Sequence, residues 1–203
     1  MSVIQNDWFN CDHIGASERD REDIMNFSVR DGRGEGLVRY LQHDAFPDEE
    51  AGIMRTYLVR DKRTSELAGY FSLKAGLISF NEIQTDTGVE FDTLPGVELA
   101  NFAVNDGYIR KNPNSKGAGA IIFKRLIVPI IEDVAKQVGV KFIYIFALPF
   151  DSLINRYVEY GFERFDAAHE ANLHRRLKPR YDSKCIFMYQ MIGEERSNKN
   201  ERH

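Results

Sequence analysis

Hydrophobic positions along the chain fall into two periodicities, and the change from one to the other lays out the elements. Residues 1–50 are polar with scattered apolar positions; Asp20–Phe27 and Gly36–Ala45 have helical spacing, and the glycines of Asp31–Gly36 mark a loop between them. From Arg55 the pattern becomes strand-like. Arg55–Asp61 and Leu67–Phe80, joined by the polar turn Lys62–Ser65, predict an antiparallel hairpin. Asn81–Pro95 is acidic and rich in turn residues and reads as a loop, after which Val97–Val104 is a strand.

The strongest helical signal is Ala118–Val138, where Ile121, Ile122, Leu126, Ile130, Val134 and Val138 repeat at 3.6-residue spacing. Gly139 reads as a left-handed stop. Pro129, which removes one backbone donor, predicts a kink or break. Lys141–Leu148 is nearly all apolar and suits a strand buried on both faces, so Val97–Leu148 forms a βαβ unit with parallel strands. A shorter helix over Phe150–Tyr160 closed by Gly161, a brief strand at Phe162–Phe165, a polar basic segment from Asp166 to Lys184 and a last strand at Cys185–Ile192 complete the order. The reading is a single α+β domain over residues 1–193, with a divergent helical part over 1–53 and a disordered charged tail over 194–203.

Composition narrows the class. The 203 residues are 43% hydrophobic and 12% aromatic, which is globular. With 27 Lys and Arg against 31 Asp and Glu the net charge is −4, and the pI is about 5.8, which argues against a nucleic-acid partner. The opening residues lack a basic n-region and a long apolar run, and no apolar stretch is long enough to cross a bilayer. Two cysteines, Cys11 and Cys185, one near each end, fit a reducing cytoplasm and give no metal-ligand spacing, so neither membrane nor metal is expected.

Candidate chemistry centres on Val97–Ala120. Gly117-Ala118-Gly119 stands between a strand with a basic loop and a long helix, where unpaired backbone N–H groups and the helix dipole favour an anion. A lone Gly-x-Gly also makes an ordinary tight turn; Ile122 replaces the third glycine of a dinucleotide fingerprint, and no Gly-Lys-Ser/Thr follows. Glu98 alternates with Val97 and Leu99, so it points away from the core as either a solvated carboxylate or a general base. Tyr157 is either a packing aromatic or a proton donor. His169-Glu170-Ala171-Asn172-Leu173-His174 spaces its histidines five apart, one more than a zinc-protease helix needs, and reads as a polar segment. The following Arg175, Arg176, Lys178 and Arg180 read as a solvated loop, with an anion clamp as the alternative.

The order of elements over residues 54–192 resembles the Gcn5-related N-acetyltransferase (GNAT) superfamily. Its Arg/Gln-x-x-Gly-x-Gly/Ala signature is matched by Asn114-Ser115-Lys116-Gly117-Ala118-Gly119, with Asn114 in place of the leading Arg/Gln, after a loop longer than is usual. Tyr157-Val158-Glu159-Tyr160-Gly161-Phe162 looks like the family's Tyr-x-x-x-Gly-Phe, although Phe150-Asp151 stands where an Asn often opens that helix. Glu98–Val104 resembles the strand that begins with a catalytic Glu.

The resemblance implies a mixed, mostly antiparallel sheet with a splayed parallel pair of strands, flanked by helices. It also implies an acetyl-CoA-dependent N-acetyltransferase acting on a primary amine of a small molecule or protein through a direct ternary complex. Lys116, Gly117, Ala118, Gly119 and Ala120 are then the pyrophosphate cradle, and Phe102, Ala103 and Val104 the strand edge for the pantetheine arm. Glu98 or a water takes the amine proton, and Tyr157 protonates the departing thiolate. Arg55–Val59 and Gly69–Leu73 look somewhat like toxin-type members that acetylate aminoacyl-tRNA, against which the acidic net charge argues. A non-catalytic acyl-CoA sensor is a third reading, and a homodimer is left open.

Overall fold

The computed structural model describes residues 4–86, 88–176 and 184–193. Eight strands lie among them: β1 (Ile4–Gln5), β2 (Phe9–His13), β3 (Arg55–Asp61), β4 (Leu67–Thr85), β5 (Gly88–Val104), β6 (Phe142–Ala147), β7 (Glu163–Arg164) and β8 (Ile186–Met191). The helices are α1 (Asp20–Met25), α2 (35–50), α3 (Asp106–Lys111), α4 (118–137), α5 (Asp151–Glu159) and α6 (Ala167–Arg176). This is a mixed α+β architecture with mostly antiparallel strand pairs and one parallel pair. The chain divides into two compact units: residues 1–74 with 99–130, and residues 75–98 with 131–203.

In the first unit the strand order is β1-β2-β3-β4-β5. β2 runs antiparallel to β3 from Phe9↔Asp61 to His13↔Tyr57, and β3 to β4 from Arg55↔Leu73, with a bulge between Val59 and Arg60. The β1–β2 hairpin is absent from the sequence reading because its strands are two and five residues long. Asn6 closes it, its Oδ1 accepting from the Trp8 and Phe9 amides at 2.8 and 2.9 Å. Leu41, Leu58 and Tyr70 are fully buried in one core with Ile24, Phe27, Met54, Ala100 and Ala103. A buried leucine of this kind contributes roughly 1.5–3 kcal/mol. Asn105 ties the end of β5 in place: its amide donates to the Ala68 carbonyl at 2.9 Å and its Nδ2 to the Leu67 carbonyl at 2.8 Å. Its Oδ1 accepts from the Gly107 amide at 3.1 Å and so caps α3.

In the second unit the order is β4-β5-β6-β8-β7. The parallel ladder pairs Gly96↔Phe142, Val97↔Ile143 and Glu98↔Tyr144, and β8 runs antiparallel to β6 along its whole length. Ile78, Phe142, Tyr144, Leu173 and Phe187 form the core. Gly96 is required by close approach, because a Cβ there would stand 2.5 Å from the Phe142 ring.

Three sequence expectations are corrected. The loop at Asn81–Pro95 is strand: β4 runs to Thr85 and β5 starts at Gly88, a connection that only antiparallel neighbours allow. Ile83 and Thr85, then Val89 and Phe91, alternate with acidic and amide residues, and that period of two is hidden by their turn-like neighbours. Gly139 does not adopt a left-handed backbone. The chain leaves α4 directly for β6, where the Lys141 amide is held by the Pro95 carbonyl at 2.9 Å. The polar segment after Asp166 is the helix α6, started by Asp166 Oδ1 accepting from the Ala168 and His169 amides. Pro129, by contrast, has the disturbance expected of it close by: a π-turn over Phe123–Ile127 interrupts the α-helical bonding just before it. Gly161 takes its left-handed conformation at φ +93°, ending α5. The charged tail 194–203 lies outside the described residues.

Candidate functional site

The stretch between β5 and α4 is built from short structured pieces, which an irregular loop reading missed. After α3 comes a 3-10 turn at Pro113–Ser115, then Lys116 with extended ψ, then Gly117 at φ +91° and ψ 1°, the left-handed N-cap of α4. Nothing lies within 4 Å of a Cβ built on Gly117, so the position is open and its demand is conformational. The first helical bond runs from the Ala120 amide to the Gly117 carbonyl at 2.9 Å, which leaves the amides of Ala118 and Gly119 ahead of the intrahelical ladder. Those donors, with the positive end of a twenty-residue helix (118–137), fit an anionic group such as a pyrophosphate.

Two acidic residues of the β3–β4 turn hold this stretch. The Tyr108 hydroxyl donates to Asp61 Oδ2 at 2.7 Å, and Asp61 Oδ1 accepts from the Arg63 amide at 2.7 Å. Burial raises the Asp61 pKa, but the Tyr108 hydroxyl and the backbone amides outweigh it and hold the carboxyl below its ordinary value. Burial and then Asp61 itself push the Tyr108 phenol up. Glu66 accepts from Asn112 Nδ2 at 2.9 Å and from Lys111 Nζ at 3.3 Å. On the sheet side, Gly69 lets β4 approach β5 and α4, since a Cβ there would stand 2.8 Å from the Ala103 carbonyl and 3.3 Å from Ile122 Cδ1. The first unit therefore brings the Phe102–Val104 edge and the start of α4 to one side of β4. Ala103 is buried, whereas Phe102 and Val104 are half-buried.

Glu98 lies in the second unit, half-buried, with Tyr144 as its direct partner in the parallel ladder. The Tyr144 hydroxyl donates to Glu98 Oε2 at 3.4 Å. A Cβ at Gly76 would fall 1.9 Å from that hydroxyl, so the missing side chain is what gives it room. Burial, then the Glu98 charge, pushes the Tyr144 phenol up. Sequence reasoning missed Tyr144 and Gly76, because the hydroxyl meets Glu98 only through the register of the two strands.

Tyr157, on α5, packs edge-on against Phe162 at 5.4 Å and Tyr160 at 6.0 Å between ring centroids. Burial is the main cause that pushes its phenol up, so the hydroxyl keeps its proton at neutral pH. Cys11 and Cys185 are both buried, and burial also raises the Cys11 thiol. In α6, His169 pairs with Asp166 one turn away, while Glu170 accepts from the Phe187 amide at 3.0 Å and from Arg164 at 3.1 Å. Lys178 and Arg180 of the basic run lie outside the described residues. Among the described residues no cluster of three His, Cys, Asp or Glu side chains is placed to hold a metal ion, and no helix is long and apolar enough to cross a membrane.

No family model matches the chain. Solved structures do. A tyrosine-to-phenylalanine mutant of KacT matches at TM-score 0.64 and 16% identity, over 91% of this chain and 95% of its own. AtaTR bound with AcCoA matches at 0.63 and 14%, over 90% and 94%. AtaT complexed with acetyl-methionyl-tRNAfMet matches at 0.61 and 14%, over 88% and 93%. The chain has the GNAT fold. The GNAT fold accounts for the single parallel pair at Glu98↔Tyr144 within otherwise antiparallel neighbours, as the order of elements predicts.

Proposed function

We propose that the protein is an acetyl-CoA-dependent N-acetyltransferase, and the observation that carries this reading is the left-handed Gly117 opening α4 at the end of β5. Unpaired amides at a helix start, with open space at the glycine, suit the pyrophosphate of CoA. Lys116 to Ala120 hold that group, and the backbone of Phe102, Ala103 and Val104 pairs with the pantetheine arm as an added strand. The acceptor amine attacks the thioester carbonyl while a backbone N–H of β5 polarises its oxygen. Glu98, directly or through water, takes the amine proton, and Tyr157 returns a proton to the thiolate as the C–S bond breaks. Neither cysteine takes part, in keeping with a direct ternary complex, and a cytoplasmic location agrees with the sparse cysteine usage.

The acceptor has two candidates. A small-molecule or protein amine is the first. The second, the amino group of an aminoacyl-tRNA, draws support from the match to AtaT in complex with acetyl-methionyl-tRNAfMet, and it reopens the nucleic-acid partner that net charge argued against.

The test is calorimetric titration with acetyl-CoA, followed by an acceptor screen over polyamines, lysine peptides and aminoacyl-tRNA, read by thiol release. Saturable binding and acetylation of one acceptor class are expected. Absence of any binding overturns the cofactor assignment, whereas binding without turnover on any class leaves a sensor.

A further inference from the structure

Within the second unit, the helix that carries Tyr157 ends in a glycine stop, and that stop is tied to a strand. The Phe162 amide donates back to the Tyr157 carbonyl at 3.0 Å and the Gly161 amide to the Val158 carbonyl at 2.9 Å, with Gly161 left-handed at φ +93°. Phe162 therefore holds Tyr157 twice, through its amide on the carbonyl and through its ring, whose centroid is 5.4 Å from that of Tyr157. The spacing Tyr-x-x-x-Gly-Phe acquires a physical meaning here. It places the tyrosine where the helix stop fixes both its backbone and its ring.

The last carbonyl of the stop is satisfied from outside the helix. Tyr160 closes α5, and its carbonyl accepts from Gln190 Nε2 of β8 at 2.9 Å. Gln190 pairs with Ile143, and its neighbour Tyr189 pairs with Tyr144, so Gln190 points to the sheet face opposite Tyr144. A carbonyl can only accept, so the amide nitrogen must face it, and the amide oxygen is turned away. That oxygen, Oε1, is buried and has no donor among the described residues. A buried acceptor left unpaired costs about 1–3 kcal/mol, which an apolar side chain of similar volume avoids. Packing alone does not call for glutamine at this position; the donor does. Gly161 also makes room for it, since a Cβ there would stand 2.5 Å from Gln190 Nε2. Lysine or arginine would donate as well, but a cation at the last turn favours a phenolate, whereas the neutral amide leaves the phenol its proton.

We propose that Gln190 is a positioning residue for the acid of the reaction, locking the glycine stop so that Tyr157 is held toward the departing thiolate. The inference rests on the role given to Tyr157 above and deepens it. Proton transfer requires the donor within hydrogen-bond reach, and a misplacement of about 1 Å costs about 100-fold. An unlocked stop lets the end of α5 shift while the helix itself survives.

Gln190→Met keeps the volume and removes the donor. In the full chain with tyrosines labelled at the ring carbon that bears oxygen, the NMR resonance lost in Tyr157→Phe is that of Tyr157. Gln190→Met is expected to move or split this resonance and to leave those of Tyr57 and Tyr70, in the first unit, where they are. Turnover of acetyl-CoA with the acceptor found in the screen is then compared in a double-mutant cycle. Gln190→Met should lower kcat about tenfold with the Kd for acetyl-CoA unchanged, and should lower it no further in the Tyr157→Phe background. Gly161→Ala, which drives the amide away with Gln190 still present, should show the same non-additivity. An unmoved Tyr157 resonance, or an equal loss of kcat in both backgrounds, overturns the positioning role and leaves Tyr157 as the acid. A kcat that Tyr157→Phe does not change overturns both.

Discussion

Tyr144 and Glu98 face each other across the parallel ladder of β6 and β5, with the phenol donating to Glu98 Oε2 at 3.4 Å. A hydrogen bond to the charged form of a carboxylate favours ionisation and lowers its pKa. Tyr144→Phe removes that donor from the Glu98 carboxylate. If Glu98 is the base, the acidic limb of the pH–rate profile moves to higher pH and rate is lost on the acid side. Gly76→Ala crowds the same hydroxyl and shifts the limb in the same direction, with an overpacking cost of about 1–3 kcal/mol in denaturant unfolding. A limb that stays where it is in both variants assigns the base elsewhere.

That pair also marks the limit of what the sequence makes legible. Strands β3, β6 and β8 are readable because both their faces are buried, in the apolar runs at Leu58 and Val59, Phe142 to Ile145, and Phe187 and Met188, and the helix α4 because one face is, at Ile122, Leu126 and Ile130. The far ends of β4 and β5 are not, since acidic residues next to a turn imitate a loop when the partner strand is unknown. Glycine is legible by position where a helix must stop, as at Gly161, and misleading at Gly139, where the next strand fixes the exit instead. Gly117, Glu98 and Tyr157 can be proposed from motif order. Tyr144 cannot, because its partner and the space left by Gly76 are set by register, and register is a property of three strands together.

The bond between Tyr108 and Asp61 predicts a pH-dependent contribution to stability. Asp61 is held below its ordinary pKa in the folded protein, so its contribution is fully present above the unfolded value of about 4 and disappears as pH falls through the folded one. Tyr108→Phe is expected to cost about 1.5–3 kcal/mol at pH 7, the range for hydrogen bonds to charged groups, and less at pH 3. Urea unfolding at the two pH values measures the difference. An equal cost at both means that the ring packing of Tyr108 against Phe9, and not the hydroxyl, is what matters.

Gly117→Ala isolates backbone conformation from crowding. The space beside Gly117 is open, so a methyl group meets nothing, but φ +91° lies where L-residues pay about 1–2 kcal/mol. The turn is expected to relax, re-aim the Ala118 and Gly119 amides and raise the Kd for acetyl-CoA about tenfold or more, with a stability loss no larger than that strain. Calorimetry beside thermal unfolding separates the two effects. Unchanged affinity removes the turn from the cofactor site.

Tyr157→Phe tests the last step of the proposed reaction. The Tyr157 ring lies in a buried aromatic cluster with Phe162 and Tyr160, and phenylalanine keeps those ring contacts. Stability is therefore expected to change by less than about 1.5 kcal/mol. The variant loses the only proton the side chain can give to a thiolate, so kcat should fall by about 100-fold or more while the Kd for acetyl-CoA moves little. The distinction lies in leaving-group dependence. A thioester whose thiol has a lower pKa needs less help from an acid, so a more acidic leaving group should restore much of the lost rate. If the loss is the same for both leaving groups, Tyr157 orients the site through its packing, and the thiolate takes its proton from solvent.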